Sequence, residues 1–134
     1  MMTTLDDISN GRCGLNIVTG WNKPEYVQMG MWRGDEYYEQ RYEYASEYLS
    51  IMRNLWKHGR VTHQSDFFQL EDCMCLPMPK HDIPIVCAGQ SPKGKQFVAE
   101  MGERQFMMSD VSTLEASVKD INARASAVDR KVGI

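Results

Sequence analysis

Two short apolar runs, Leu15-Asn16-Ile17-Val18 and Ile83-Pro84-Ile85-Val86-Cys87-Ala88, each give way to a glycine-containing turn and then to a stretch with helical periodicity. No other feature of the chain narrows its fold as much. Short runs that are apolar throughout and rich in β-branched residues suit strands covered on both faces. Strands that alternate with helices along a chain pair in parallel and carry the helices against the sheet. The pattern therefore predicts an α/β architecture of successive βα units.

The helical segments are legible in the same way. Tyr38, Tyr42, Ala45, Leu49, Met52 and Trp56 recur at spacings of three and four, which places them on one stripe of a long amphipathic helix. Asp35 is its predicted cap and Lys57-His58-Gly59 its end. Ser91 before Pro92 predicts the start of a second helix, lined by Phe97, Val98 and Met101 and stopped by Gly102. Ser112-Thr113-Leu114-Glu115 reads as a capping box, with Leu114, Val118, Ile121, Ala125 and Val128 as the apolar stripe that follows. Thr4 to Ser9 reads as the end of a helix closed by Asn10-Gly11.

Between these elements the signals weaken. Thr19 to about Asp35 reads as a surface loop, and Gln105 to Met108 as a third, weaker strand. Val61 to Pro79 is irregular, with Phe67, Phe68 and Leu70 marking a short strand that forms half of a hairpin. Lys131 to Ile134 reads as the start of a further strand.

Composition excludes several function classes. The 134 residues suit one domain, and 43% apolar content is enough for a packed core. The 15 basic and 18 acidic residues leave a net charge of −3, so there is no basic excess to neutralise a nucleic-acid backbone. No run approaches the ~18 consecutive apolar residues of a membrane span. The opening residues do not read as a secretory signal, so a cytoplasmic location with reduced thiols is the expectation. Cys13, Cys73, Cys75 and Cys87 lack paired CxxC spacing, and His58, His63 and His81 lack metal-ligand spacing. No metal site is expected, the histidines are expected at the surface, and Cys87 is expected to be buried and inert.

Three constellations have chemistry to offer. Ala88-Gly89-Gln90-Ser91-Pro92 joins a strand to a helix N-terminus, where backbone amides and the helix dipole favour an anion. Arg41-Tyr42 supplies a planar fork of donors and a hydroxyl in the first turns of the long helix. Asn16 is polar within an apolar strand, and Trp21 follows beyond that strand's carboxyl end, where ligands of parallel α/β sheets bind. Glu25 lies close enough in sequence to reach the same mouth. On residue types alone each also fits a structural role: an ordinary capped helix, a core tyrosine beside a solvated arginine, an asparagine satisfying backbone.

Several longer segments go further. Thr4-Leu5-Asp6-Asp7-Ile8-Ser9-Asn10-Gly11-Arg12 and Gly14-Leu15-Asn16-Ile17-Val18-Thr19-Gly20-Trp21 resemble the bacterial-luciferase-like flavin monooxygenases. Asn22-Lys23-Pro24-Glu25-Tyr26, Gln28-Met29-Gly30, Trp32, Gly34-Asp35-Glu36, Arg41-Tyr42 and Ala88-Gly89-Gln90-Ser91 are similar to the branch of that family that opens pyrimidine rings such as uracil or thymine. The sulfone and alkanesulfonate branches share the earlier segments. The resemblance runs from Thr4 to about Met108.

The resemblance implies a TIM (β/α)8 barrel with FMN at the carboxyl ends of its strands, used in reduced form with O2 on a small organic substrate. It implies flavin contacts from Asn16, Glu25, Arg41, Tyr42 and Ser91, with Arg41, Tyr42 and Ser91 binding the anionic phosphate. It also implies a separate reductase that delivers the reduced flavin. It names no catalytic acid or base in this chain. A TIM barrel takes about 250 residues. The expectation is therefore a partial barrel, residues 1–134 forming one incomplete segment of successive parallel βα units with an irregular or hairpin insertion. Open sheet edges in such a segment lead to an expected homo-oligomer. The alternative reading is a non-catalytic α/β piece that self-associates and does not hold flavin productively.

Overall fold

The computed structural model describes all 134 residues. In chain order the first elements are α1 (Met2–Ser9), β1 (Leu15–Val18), α2 (Lys23–Gln28), α3 (Asp35–Glu39) and α4 (Arg41–His58). They are followed by β2 (Arg60–Gln64), β3 (Gln69–Met74), β4 (Ile85–Ala88), α5 (Pro92–Met101), β5 (Arg104–Phe106) and α6 (Val111–Ala127). β1, β4 and β5 form a parallel sheet in that order, with Leu15 opposite Ile85 and Cys87 opposite Gln105. A parallel bridge from Arg104 to Gly133 extends the sheet by one pairing, as expected for a strand starting near Lys131.

The strand pattern separates two faces. Ile85, Cys87 and Gln105 are buried against the helices. Asn16, Val86 and Arg104 share a register row on the other face, and Val18, Ala88 and Phe106 share the next. That second face is the one a closed barrel turns inward, and Val18 and Phe106 are exposed on it. The βα units are thus barrel units, and the sheet carries three barrel strands.

The helix layer builds the core. Ala45 and Leu49 from α4, Phe97, Val98 and Ala99 from α5, and Ile121 and Ala125 from α6 pack with Ile85, Cys87 and Val132. Each fully buried Leu, Ile or Phe contributes about 1.5–3 kcal/mol relative to exposure. Burial pushes the Cys87 thiol up to about 12, with the charge of Glu103 adding to the effect, so Cys87 is the unreactive core residue expected. Gly59 closes α4 in the left-handed conformation, with φ 73°.

Several elements differ from the sequence reading. The loop predicted from Thr19 to Asp35 contains α2, which Pro24 opens because a helix's first residues need no amide partner. The long helix is broken at Gln40: Asp35–Glu39 is a separate short helix capped by Gly34, and Asp35 lies inside it. The N-cap of α6 is Asp110 rather than Ser112, which sits inside the first turn, so no capping box forms. On α6 only Ile121 and Ala125 are fully buried, while Leu114 and Val128 are exposed. The hairpin has both its strands, β2 and β3, but Phe67 and Phe68 lie in its turn. Ser65 makes that turn: its hydroxyl accepts from the amides of Phe67 and Phe68 at 3.1 and 3.0 Å.

The histidines lie at the surface as expected, His81 exposed and His63 partly so, and these two also bond into the fold. His63 Nε2 lies 2.7 Å from Glu47 Oε1, pinning the hairpin to α4, and Ser65 donates its hydroxyl to the same carboxylate. Those contacts, the Ser65 bond first, hold the Glu47 carboxyl below its ordinary value against the opposing effect of burial. His81 Nδ1 lies 3.0 Å from Asp6, which also accepts from the amides of Lys80 at 2.7 Å and His81 at 3.2 Å. Burial raises the Asp6 carboxyl, but these bonds and the His81 charge outweigh it and hold it below the ordinary carboxylate range. Asp6 thereby fastens α1 to the segment that leads into β4.

Candidate functional site

The carboxyl ends of β1 and β4 open into a cavity with two connected lobes. Asn16, Val18, Trp21, Tyr38 and Arg41 line both lobes and form the boundary between them. One lobe, of about 550 Å³, is closed by Tyr42, Gly89, Gln90 and Ser91. The other, of about 430 Å³, is walled by Tyr26, Trp32, Tyr37 and Tyr44. No Asp, Glu, His or Cys side chain lines either lobe, so tyrosine hydroxyls are the only side-chain acids within them.

The polar lobe is assembled by two helix N-termini. Arg41 is the first residue of α4, placed there by the break at Gln40. Its Nη1 donates to the Tyr38 carbonyl at 2.5 Å, and its guanidinium stacks over the Tyr38 ring at 3.8 Å and the Tyr42 ring at 4.6 Å. Its Nε is buried and has no hydrogen-bond partner. A cation at the positive end of a helix dipole is locally unfavourable. An unpaired buried donor adds a desolvation cost of about 1–3 kcal/mol.

The second helix, α5, contributes Ser91. This residue is the N-cap, and its Oγ accepts from the Gly94 amide at 3.1 Å. The Tyr42 hydroxyl lies 3.5 Å from the same Oγ. Two glycines make this closeness possible: a Cβ on Gly89 would meet the Gly94 carbonyl oxygen at 2.7 Å, and one on Gly94 would meet the Tyr42 hydroxyl at 2.6 Å. The β4–α5 turn and the first turn of α4 therefore touch backbone to side chain, with Arg41, Tyr42 and Ser91 facing one space.

The aromatic lobe is held by ring contacts. Trp32 lies 5.6 Å from Tyr38 and 6.4 Å from Tyr26, and Tyr37 lies 5.4 Å from Tyr44, centroid to centroid. Arg33 stacks over Tyr37 at 4.1 Å. Lys23 bridges to Asp35 at 2.6 Å, which fixes α2 beside α3. Phe68 of the hairpin turn backs Tyr44 at 4.8 Å. The lobe's flat apolar walls and its arginine suit a planar ring with acceptor atoms.

Of the residues singled out in the sequence, the structure brings Asn16, Arg41, Tyr42 and Ser91 to one cavity. Glu25 does not line it. Its carboxylate accepts from Asn22 Nδ2 at 2.6 Å at the exposed start of α2, while its neighbour Tyr26 faces the aromatic lobe. Sequence reasoning missed Tyr38, which lines both lobes, and two residues that support the lobe's walls, Gly94 packed against Gly89 and Gln105 bonded to the Gly89 carbonyl. Tyr38 stands three residues before Arg41, the spacing that stacks side chains along a helical turn. Gly94 and Gln105 had weaker signals: a glycine in a helix's first turn and a polar residue within a strand.

Parallel βα units with a cavity at the strands' carboxyl ends, flanked by the N-termini of α4 and α5, define a segment of a TIM-barrel fold. The chain belongs to the luciferase-like monooxygenase family, whose model matches residues 1–134. It is similar to pyrimidine monooxygenase RutA of Methylorubrum extorquens, at 53% identity over 106 residues, which is 79% of this chain and 29% of that protein. RutA of Acinetobacter baylyi is 48% identical over 124 residues, 92% of this chain and 34% of that protein. The chain thus spans about a third of the length of these relatives. Among solved structures, long-chain alkane monooxygenase LadA superposes with a TM-score of 0.81 at 27% identity, covering 97% of this chain and 35% of that one. DmoA of Hyphomicrobium sulfonivorans superposes at 0.77 with 26% identity, covering 98% and 34%.

Proposed function

We propose that this chain carries the phosphate-binding side of the flavin site of an FMN-dependent monooxygenase, acting with O2 on a small organic substrate that contains a pyrimidine ring. The observation that carries the proposal is that Arg41, Tyr42 and Ser91 line one lobe, with the Arg41 guanidinium bearing a buried Nε that has no hydrogen-bond partner. A phosphate monoester fits that lobe: it accepts from Arg41, Tyr42 and Ser91, and it compensates the positive ends of α4 and α5. The glycine contact at Gly89 and Gly94 lets the β4–α5 turn close against the Tyr42 hydroxyl.

Asn16, on the face that a closed barrel turns inward, orients the polar edge of the flavin ring. Glu25 enters the contact set through the family resemblance, its carboxylate holding Asn22 at the start of α2. The aromatic lobe receives planar rings and keeps water from them. When bound, reduced FMN supplies the oxygen chemistry, and the protein supplies position, polarity and exclusion of solvent. The name of the RutA relatives supports a pyrimidine substrate. The same resemblance supports delivery of reduced FMN by a partner reductase. The absence of a helix long and apolar enough to cross a membrane is consistent with the cytoplasmic location proposed here.

A second reading is favoured by one observation: Val18, Phe106 and Met108 expose apolar surface beside the polar lobe. In that reading copies of the chain associate through this face and hold flavin unproductively. A fluorescence titration with FMN, on protein of known solution mass, tests both. Saturable binding that Arg41→Ala weakens by about tenfold or more supports the flavin site, because a charge-assisted hydrogen bond contributes about 1.5–3 kcal/mol. Concentration-dependent association with no saturation by FMN overturns it in favour of the second reading.

A further inference from the structure

We propose that Gln105 is a positioning residue for the polar lobe: its buried carboxamide holds the Gly89 carbonyl and so fixes the Gly89-Gln90-Ser91 turn in the shape that receives a phosphate. The inference rests on the flavin-phosphate reading above and adds to it a residue that touches no ligand.

Gln105 is 3% exposed and sits in the middle of β5, opposite Cys87 in the ladder. The register turns it toward the helix layer, where Cys87 belongs to the apolar cluster. The other fully buried polar side chain, Asp6, is saturated by three hydrogen bonds. Gln105 is not. Its Nε2 donates to the Gly89 carbonyl at 2.9 Å, whereas its Oε1 is buried without a partner. A carbonyl only accepts, so the Gly89 contact fixes which end of the amide faces the turn. A half-satisfied buried amide is costlier than an apolar residue of the same size. The single bond it makes is therefore what the position specifies.

That bond falls at a mechanically sensitive point. The β4–β5 ladder ends at the Ala88–Phe106 pair, and the Gln105 amide supplies a further rung to the next carbonyl along β4. Gly89 then packs against Gly94, whose amide is bonded to Ser91 Oγ. Ser91 in turn faces the Tyr42 hydroxyl. Gln105 is thus linked through the Gly89–Gly94 contact to the hydroxyls of Ser91 and Tyr42 while lying behind the lobe, in the core.

The test compares FMN with riboflavin, which has the ring system but no phosphate, on wild type and two variants. Gln105→Met keeps the volume and removes the amide. Gln105→Asn keeps an amide that is too short to reach Gly89, and it stands in if the first variant fails to fold. The expected result is FMN affinity reduced about three- to tenfold, the effect of one misplaced hydrogen bond. Riboflavin affinity stays at the wild-type level, and the melting temperature of Gln105→Met is unchanged or raised. FMN and riboflavin affinities that fall together, or that both stay unchanged, overturn the positioning role. A wild-type protein with no preference for FMN over riboflavin overturns the phosphate reading itself, a distinct outcome.

Discussion

Gly94→Ala tests how tightly the polar lobe is built. In an ordinary exposed helix this change stabilises by about 1 kcal/mol, because alanine is the better helix former. Here the new Cβ would lie 2.6 Å from the Tyr42 hydroxyl, 2.9 Å from Gly89 Cα and 3.1 Å from the Gly89 carbonyl carbon. The first contact yields by rotation of Tyr42; the other two are backbone and must shift. Overpacking of this kind costs about 1–3 kcal/mol. Set against the helix gain, the net expectation is a loss of up to about 2 kcal/mol, or a fall of a few degrees in melting temperature. The larger effect is on binding. Moving the Tyr42 hydroxyl away from Ser91 removes one donor from the lobe, so FMN affinity falls about tenfold. Thermal unfolding by circular dichroism and an FMN fluorescence titration read the two effects. A variant that is about 1 kcal/mol more stable than wild type and binds FMN equally well would refute the close-packed lobe.

Three further outcomes follow from the fold. The Asp6 carboxyl is held below its unfolded value, so its contribution to stability is complete above that value and is lost as pH falls through the folded one. Urea unfolding of wild type should therefore weaken on acidification below about pH 5, and Asp6→Asn should be less stable at neutral pH with a flatter acid limb. Cys87 is fully buried with its thiol at about 12, so a thiol reagent should label Cys13, Cys73 and Cys75 in the native protein and reach Cys87 only on unfolding. Leu49, at 0% exposure in the centre of the core, should cost about 2–5 kcal/mol as Leu49→Ala, read as a lower urea midpoint at unchanged slope.

The sequence disclosed the strands of the parallel sheet and most of the helices, whose periods are regular. The runs at Leu15–Val18 and Ile83–Ala88 form β1 and β4, shortened at the second because Pro84 has no amide for the ladder. Ser91 caps α5 as its side-chain chemistry predicts, and the stripe from Tyr42 through Leu49 to Trp56 faces the core. Local signals misled where two of them competed. Asp35 resembles a cap, but Gly34 reaches the positive φ, 102°, that the entry to α3 uses. Ser112 resembles the start of a capping box, but Asp110 occupies the N-cap and leaves Ser112 in the first turn.

The cavity was legible residue by residue but not as a shape. Asn16, Arg41, Tyr42 and Ser91 carried chemical signals of their own, and the parallel sheet brings them together. Tyr38 ends up beside Arg41 across the break at Gln40, which no period announces. Gly94 matters through contact with Gly89, and Gln105 through a bond across two strands. Such long-range pairings leave no local pattern. The bonding partners of His63 and His81 were illegible for the same reason, since Glu47 and Asp6 lie far away in sequence.

Binding of a flavin phosphate by the Arg41 guanidinium is read most directly from the nitrogen–proton signal of its buried Nε in a ¹⁵N NMR spectrum. Adding FMN should shift that signal, assigned by its loss in Arg41→Lys, saturably, while riboflavin at the same concentration should leave it in place. An Arg41 signal that stays unmoved at saturating FMN, or that moves identically with riboflavin, would contradict the assignment.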